Sequence, residues 1–247
     1  MISCIEKILN FIFPPRCMVC DNITEFNNTT HVCAECYARL KSINLPVCNY
    51  CGKELEDPGR ACCYECAVQD NYYDIAICAC EYCGIIKVIL QKLKFDNRVE
   101  LCPLISEILV KKIKQKTGIL KFDIIISVPL HPNRMKQRGY NQSQLIAQYV
   151  ANALKVDYEL NVIEKIRDIP RQSELCRADR ILNVKGAFRV TMSEKVAGKN
   201  ILLIDDILTT GSTLRECSKE LKKSGAKSIT VATVATGATN KTVTEAI

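Results

Sequence analysis

Paired cysteines are the residues of this chain whose spacing points most directly to chemistry. Thirteen of the sixteen cysteines lie within residues 1–83, and ten of these form five C-x-x-C pairs. The pairs are Cys17/Cys20, Cys33/Cys36, Cys48/Cys51, Cys63/Cys66 and Cys80/Cys83. Two residues between thiols allow a tight turn to aim both sulfurs at one tetrahedral ion. Two such pairs separated by roughly ten to twenty residues have the spacing of a zinc ribbon.

The order of the pairs predicts about two zinc ions per chain. Sequential pairing gives a first site and a second site that are offset by 30–31 residues, which indicates an internal duplication. The predicted ligands are Cys17, Cys20, Cys33 and Cys36 in the first site, and Cys48, Cys51, Cys63 and Cys66 in the second. Interleaved pairing, a set in which Cys80/Cys83 displaces another pair, and a set with Cys62 in place of Cys63 are alternatives. Gly52 and Gly84 directly follow paired cysteines and suit the positive φ of such turns.

The first sixteen residues, MISCIEKILNFIFPPR, lack the features of a secretory signal. Glu6 and Lys7 interrupt a short apolar part, and no small-residue cleavage site follows it. The spacing of apolar residues predicts instead a short amphipathic helix that ends at Pro14-Pro15. No apolar run approaches the roughly 20 residues of a membrane span. We therefore expect the protein to be cytoplasmic. In the cytoplasm thiols stay reduced, and clustered cysteines bind metal more often than they form disulfides.

A second group of chemically suggestive residues lies in the string ILLIDDILTTGST at positions 201–213. The four apolar residues predict a central strand with Asp205 and Asp206 at its carboxyl end, the edge where open α/β sheets bind ligands. The hydroxyls and amides that follow suit a phosphate at a helix N-terminus. They belong to Thr209, Thr210, Gly211, Ser212 and Thr213. The paired acids suit sugar hydroxyls, directly or through Mg²⁺, so the string predicts a ribose 5-phosphate site unless these residues merely cap the helix.

The elements that position these residues alternate between helices and strands from residue 84 onward. Apolar spacing predicts helices over residues 85–93, 99–116, 141–154 and 212–223. Short apolar runs predict strands over residues 122–128, 161–166, 201–204 and 228–234. This alternation predicts an α/β fold with a parallel sheet flanked by helices on both faces. We divide the chain into an N-terminal helix and zinc-finger module over residues 1–83 and an α/β domain over residues 84–247.

Composition limits the class of protein and the meaning of its charge. The chain has 247 residues, of which 48% are hydrophobic and 25% charged, and this excludes a disordered or collagen-like protein. Eight metal-bound thiolates and two Zn²⁺ together contribute four negative charges, which lowers the formal net charge of +7 to about +3. Any argument for nucleic-acid binding therefore depends on local basic clusters. Two such clusters occupy residues 87–116 and 165–189, and solvated helix faces are the alternative interpretation of the first.

The string at 201–213 resembles the phosphoribosyl pyrophosphate (PRPP) signature of type I phosphoribosyltransferases. Several further strings, together with the paired cysteines, resemble the ComF/GntX family over nearly the whole chain. These strings are FPPRCMVC at 13–20, LKFDNR at 93–98, VPLHPNRMKQRGYNQS at 128–143 and RILNVKGAF at 180–188. That family joins an N-terminal zinc finger to a phosphoribosyltransferase-like domain. Its members are associated with DNA uptake in natural transformation and are thought to handle single-stranded DNA.

The resemblance also implies roles for single residues. It implies that Asp205 and Asp206 bind ribose and Mg²⁺, and that residues 209–213 bind the 5′-phosphate. Residues 128–141 correspond to a segment that includes the pyrophosphate loop, where Arg134 and Arg138 are our choices for neutralising the leaving group. Residues 167–183 correspond to a mobile loop. In that loop Arg167, Gln172, Arg180 and Asn183 fit the family, whereas Ile169 and Arg171 depart from it.

Three functions are compatible with these patterns. The resemblance favours a ComF-like protein that binds PRPP with Mg²⁺ and single-stranded DNA and acts in DNA uptake. A phosphoribosyltransferase enzyme of nucleotide or small-molecule metabolism, with a structural zinc module, is the first alternative; no base-specific pocket is readable, so its acceptor is unknown. The second alternative is a non-catalytic zinc-ribbon adaptor that docks a partner such as an uptake helicase. The position of Cys78, Cys80 and Cys83, where the family has no metal ligands, favours the first four pairs as zinc ligands.

Overall fold

The computed structural model describes residues 13–25, 29–44, 46–116, 121–169 and 184–237. Its centre is a parallel sheet of five strands. The strands are β1 (Ile75–Glu81), β2 (Ile124–Ser127), β3 (Asp157–Tyr158), β6 (Asn200–Leu208) and β7 (Ser228–Thr236). They are arranged in the order β1-β7-β6-β2-β3. A separate antiparallel pair is formed by β4 (Ile163–Lys165) and β5 (Phe188–Val190).

Among the described residues, two short helices lie in the cysteine-rich part and six lie around the sheet. The short ones are α1 (Ala34–Ala38) and α2 (Tyr64–Ala67). The others are α3 (Gly84–Phe95), α4 (Cys102–Lys116), α5 (Pro132–Arg138), α6 (Gln142–Leu154), α7 (Ser193–Val196) and α8 (Ser212–Lys223), with a 3₁₀ turn at Val99–Leu101. Of these, α7 is a single turn that leads into β6. Within the described ranges, no helix has both the length and the apolar composition needed to cross a bilayer.

Side chains that alternate along the strands form a core on each face of the sheet. Along β2, Ile125 belongs to one core, and Ile124 and Ile126 belong to the other. The first core contains the apolar faces of α3, α4 and α6, and the second contains that of α8. The prediction of an α/β fold with helices on both faces of a parallel sheet is therefore confirmed.

The strand β6 is longer than its apolar run predicts. The sequence predicts a strand that ends at Ile204, with the acids directly after it, whereas β6 continues to Leu208. The reason is that β7 stays paired with β6 as far as Thr236, while β2 ends opposite Ile204. Asp205 and Asp206 therefore lie inside a strand yet beyond the end of its neighbour β2, and this leaves them at an open edge.

The strand β1 is absent from the sequence prediction because its cysteines resemble metal ligands. Cys78 and Cys80 are buried in it, and burial raises the pKa of the Cys80 thiol to about 12. The residue pair Ser42 and Cys80 forms an antiparallel bridge, so the link between the two cysteine sites covers the outer edge of β1. The sheet thus begins before residue 84, where the sequence places the start of the second domain; that division remains a prediction.

Other differences concern short elements and regions outside the description. The helix α5 is not predicted, since its polar sequence has no apolar face. The strand predicted over residues 161–166 is confirmed as β4, but it pairs with β5 rather than with the central sheet. The predicted N-terminal helix and the loop residues Arg171, Gln172, Arg180 and Asn183 lie outside the described residues.

Candidate functional site: two cysteine sites and a cleft at the carboxyl edge of the sheet

The eight predicted zinc ligands form two clusters of four sulfurs. In each cluster all the Sγ atoms lie within 4.8 Å of one another. The Sγ atoms of Cys20 and Cys33 are 3.7 Å apart, and those of Cys51 and Cys63 are 3.8 Å apart. Zinc–sulfur bonds of about 2.3 Å in a tetrahedron require sulfurs separated by about 3.8 Å. Both clusters therefore fit a zinc ion, and their membership is the sequential pairing that the sequence predicts.

The backbone around the two clusters repeats, as the duplication predicts. Asp21 N donates to Cys17 O at 2.9 Å, and at the equivalent position Gly52 N donates to Cys48 O at 2.9 Å. Gly52 has a φ of 68°, and Asp21 adopts a φ of 64° in the same place. The expected positive φ behind the cysteine pair is confirmed at Gly52 and at Gly84, where φ is 49°. One turn geometry therefore presents both pairs of sulfurs.

Backbone amides hold the first sulfur of each cluster ready to bind metal. Val19 N donates to Cys17 Sγ at 3.4 Å, and Tyr50 N donates to Cys48 Sγ at 3.4 Å. Burial on its own raises the pKa of Cys17, but backbone hydrogen bonds from Cys33, Cys20 and Val19 lower it to about 6. Because the thiolate is the form that binds zinc, these donors favour metal binding.

The acid pair of β6 lies in an open cleft of about 630 Å³ at the carboxyl edge of the sheet. Asp205 Oδ1 accepts a hydrogen bond from Ser143 Oγ at 2.7 Å and another from Asp206 N at 2.9 Å. Asp206 is 4% exposed, and its carboxylate forms an ion pair with Lys94 of α3. Burial raises the pKa of Asp205 to about 7, and the neighbouring Asp206 carboxylate acts in the same direction.

The turn between β6 and α8 has the form of an anion-binding turn. Gly211 precedes α8 with a φ of 72°, and the first amides of a helix have no carbonyl partner within it, which makes them donors for an anion. The hydroxyls of Thr210 and Ser212 are 2.9 Å apart, and Thr209 and Thr213 line the cleft. The predicted phosphate residues thus lie at the same opening as the acids.

The cationic side of the cleft is provided by α3 and α5. Arg134 and Arg138 line the cleft together with Lys94, which pairs with Asp206. Arg138 donates to Gln142 Oε1, and its guanidinium lies 5.7 Å from the centre of the Phe95 ring. Guanidinium groups, together with hydroxyls and amides near a helix N-terminus, suit a ligand that carries more than one phosphate.

Sequence reasoning about the site omitted three side chains that the fold brings to it. They are Lys94, Ser143 and Lys165. The strings LKFDNR and VPLHPNRMKQRGYNQS contain the first two, so the resemblance carried a signal for them that local chemistry did not. Burial lowers the pKa of Lys165, whose ammonium lies 5.8 Å from the centre of the Phe188 ring.

A second cavity of about 280 Å³ adjoins the cleft on the side of α3 and α5. Lys94, Phe95, Arg134 and Arg138 line both spaces. Phe95 is 58% exposed, so an aromatic ring is accessible beside Arg134 and Arg138.

Two family models match the chain. The model of a double zinc ribbon domain matches residues 8–67, and the model of a phosphoribosyl transferase domain matches residues 141–246. Competence protein F of Haemophilus influenzae is 31% identical over 229 residues, which are 91% of this chain and 97% of that protein. DNA utilization protein YhgH of Salmonella typhimurium is 29% identical over 203 residues, 81% of this chain and 88% of that protein. Competence protein ComFC of Streptococcus pneumoniae is 28% identical over 204 residues, 82% and 86% of the two chains.

Proposed function

Because the chain belongs to the competence protein F family, we propose that it binds PRPP with Mg²⁺, and single-stranded DNA beside it, as part of DNA uptake. Relatives associated with competence and DNA utilization, and the phosphoribosyl transferase domain, support the role in DNA uptake. The observation that carries the PRPP proposal is one cleft lined by Asp205, Asp206, Thr209 and Thr213 together with Arg134 and Arg138.

Each part of PRPP has a complementary group in this cleft. The Asp205 and Asp206 carboxylates are placed to accept hydrogen bonds from ribose hydroxyls, and residues 209–213 to hold the 5′-phosphate. Arg134 and Arg138 offer donors to the pyrophosphate. Mg²⁺, whose preferred ligands are oxygens, would be held by phosphate oxygens and the acid pair and would neutralise charge on the pyrophosphate. The Lys94 ammonium forms an ion pair with the buried Asp206 carboxylate and so fixes its position in the cleft.

Melting of the full chain with and without PRPP and Mg²⁺ tests this proposal. A ligand present at 100 times its Kd stabilises by about 2.7 kcal/mol, which for a chain of this size raises Tm by roughly 5–10 °C. Asp205→Asn combined with Asp206→Asn should abolish the shift and leave the zinc content unchanged. The matched control is Asp123→Asn, a surface carboxyl outside the cleft. A wild-type protein that PRPP does not stabilise, or a double variant that it stabilises equally, refutes the assignment.

The second cavity supports single-stranded DNA as the neighbouring ligand. Bases in single strands stack on aromatic rings, while cations contact the backbone. Phe95 supplies an exposed ring, and Lys94, Arg134 and Arg138 supply the cations around it. Binding to a labelled oligonucleotide should weaken steeply as salt rises, because each phosphate contact releases a counterion. Equal affinity for duplex and single-stranded DNA would contradict a site built on stacking.

The continuity of the two cavities also favours a second candidate function, transfer of the phosphoribosyl group to an acceptor. An acceptor on the Phe95 side would face a ribose held by Asp205 and Asp206, with the leaving pyrophosphate near the arginines. The direct test is release of pyrophosphate from PRPP across a panel of bases and amines, with and without single-stranded DNA. Release that depends on an acceptor supports an enzyme; PRPP binding without release supports a sensor of PRPP.

A further inference from the structure

The second cysteine site is bonded to the α/β domain through the turn between its first two ligands. Tyr73 Oη donates to Tyr50 O at 2.6 Å, and Thr236 Oγ1 donates to Cys51 O at 2.8 Å. Tyr73 and Thr236 are both almost fully buried, at 2% and 1% exposure. These carbonyls belong to the backbone between Cys48 and Cys51, whose shape the metal fixes. Their positions therefore depend on the occupancy of the second site.

The same two side chains also lie against residues 209–213, which we call the phosphate turn. A Cβ placed on Gly211 would lie 3.5 Å from Tyr73 Oη and 2.9 Å from Arg215 Nη1. Arg215 in turn donates to Thr210 O. Burial raises the pKa of Tyr73, so that its hydroxyl stays protonated and able to donate. Tyr73 is thus fitted between the zinc turn on one side and the phosphate turn on the other.

The second connection reaches the start of the phosphate turn. Thr236 Oγ1 lies 3.1 Å from Leu208 O, and Gly237 N donates to Leu208 O at 2.8 Å. Leu208 ends β6 and directly precedes Thr209. The packing is close throughout this region: a Cβ on Gly52 would lie 2.4 Å from Cys78 Sγ. The start and the middle of the phosphate turn are therefore in contact with residues that also bond to the second cysteine site.

The first cysteine site has a different neighbourhood. Cys17 and Cys36 belong to the core that contains α3 and α4, whereas Cys48, Cys51 and Cys66 belong to the core that contains α8. The two sites therefore lie toward opposite faces of the sheet. The duplication provides two chemically alike metal sites, of which the second contacts the elements that shape the phosphate turn.

We propose that zinc in the second site holds the 209–213 turn in its anion-binding shape, with Tyr73 and Thr236 as positioning residues. This inference rests on the proposed PRPP site. It adds that the affinity for PRPP depends on zinc in the second cysteine site, which does not itself contact the ligand. Loss of the second zinc frees the backbone between Cys48 and Cys51, and a turn that must be ordered on binding has a lower affinity for its ligand.

A matched pair of variants separates the two sites. Cys33 and Cys63 occupy equivalent positions, each directly before a short helix and each half-buried. Cys33→Ser and Cys63→Ser should each remove about one zinc from the full chain. Cys63→Ser should weaken the Kd for PRPP with Mg²⁺ by on the order of tenfold through lost preorganisation, and Cys33→Ser should leave it unchanged. Equal effects of the two variants would overturn the proposal.

A second variant keeps both metals. Tyr73→Phe removes only the hydroxyl that donates to Tyr50 O, so the zinc content should be unchanged. The affinity for PRPP should fall about fivefold, which is the equivalent of one ordinary hydrogen bond. Tyr158→Phe is the control, since the Tyr158 hydroxyl pairs with Ser127 Oγ at 2.8 Å in another part of the sheet. An unchanged PRPP affinity in Tyr73→Phe would count against the positioning role.

Hydrogen exchange distinguishes failure of this inference from failure of the PRPP proposal. In ligand-free protein, the amides of residues 209–213 should exchange faster in Cys63→Ser and Tyr73→Phe than in wild type, and at the wild-type rate in Cys33→Ser. If wild-type protein does not bind PRPP, the proposed function fails while the exchange rates still decide the inference. Exchange in Cys63→Ser at the wild-type rate would refute the bracing of the turn.

Discussion

Replacement of Asp205 by asparagine tests whether the Asp205 carboxylate lowers the free energy of unfolding, as expected of a group that serves ligand binding rather than folding. Burial raises the pKa of Asp205 to about 7, helped by the Asp206 carboxylate and opposed by the hydrogen bond from Ser143. An aspartate in an unfolded chain titrates near 3.9. Between these two pH values the folded protein keeps a proton that the unfolded chain has already released.

The sign of the effect follows from this difference. The stabilisation from the bound proton is full below about pH 4, declines as pH rises, and is lost once pH passes the folded pKa of about 7. The pKa difference corresponds to at most on the order of 4 kcal/mol of unfolding free energy. Asparagine has no proton to lose, and its Oδ1 can still accept from Ser143 Oγ and Asp206 N. Asp205→Asn should therefore gain stability over wild type progressively from pH 5.5 to pH 8.

Urea unfolding between about pH 5.5 and pH 8.5, with zinc content measured in each sample, provides the assay, since metal is lost at lower pH. Asp123→Asn is a control of opposite sign, because the amide of Asn200 lowers the pKa of Asp123. Its stabilisation is present at neutral pH and lost as pH falls through the folded pKa, so that variant should be the less stable one across the range. An Asp205→Asn protein that is no more stable than wild type at pH 8 would show that the carboxylate contributes to the stability of the fold.

Three further predictions follow from the described contacts. Metal analysis of the purified chain should give about two zinc ions, and Cys17→Ser or Cys48→Ser should each lose one; a wild-type protein without zinc after anaerobic purification would contradict the cysteine sites. Lys94→Met should lower the unfolding free energy by on the order of 3 kcal/mol, because it leaves the buried Asp206 carboxylate unpaired. Adding Asp206→Asn should restore most of the lost stability, and no rescue would mean that Lys94 acts by packing. Phe95→Ala should weaken binding to single-stranded DNA by roughly 1–3 kcal/mol. If Tyr64→Ala loses binding and Phe95→Ala does not, the DNA site lies on the second zinc ribbon, where Tyr64 is exposed.

Features with a local signal could be predicted from the sequence. The helix predicted at 212–223 is α8, because its apolar residues and the Gly before it are determined by neighbours within a few turns. The grouping of eight cysteines into two sites followed from a repeat that is visible in the spacing alone. The acids and the phosphate turn share an opening because both are parts of one strand–turn–helix unit.

Features that depend on distant contacts could not be predicted in this way. Cys78 and Cys80 are buried in β1 by pairing with β7, which lies far along the chain. The sequence shows only the Cys80/Cys83 spacing, which resembles that of a ligand pair. Lys94 and Ser143 reach the acid pair from helices that precede β6 by many residues. The position of β1 at the edge of the sheet, and the cover that Ser42 gives it, follow from topology rather than from any local pattern.

The place of β1 changes how the role of the zinc ribbons can be tested. A deletion of residues 1–83 would remove β1 together with the ribbons, and β7 would become an unpaired edge with an uncovered core on each face. It would also remove Tyr73, which contacts the phosphate turn. Loss of DNA or PRPP binding in such a protein would follow from damage to the sheet whether or not the ribbons contact either ligand. Single substitutions in the ribbons leave β1 in place, so the comparison of Cys33→Ser with Cys63→Ser isolates what each metal contributes.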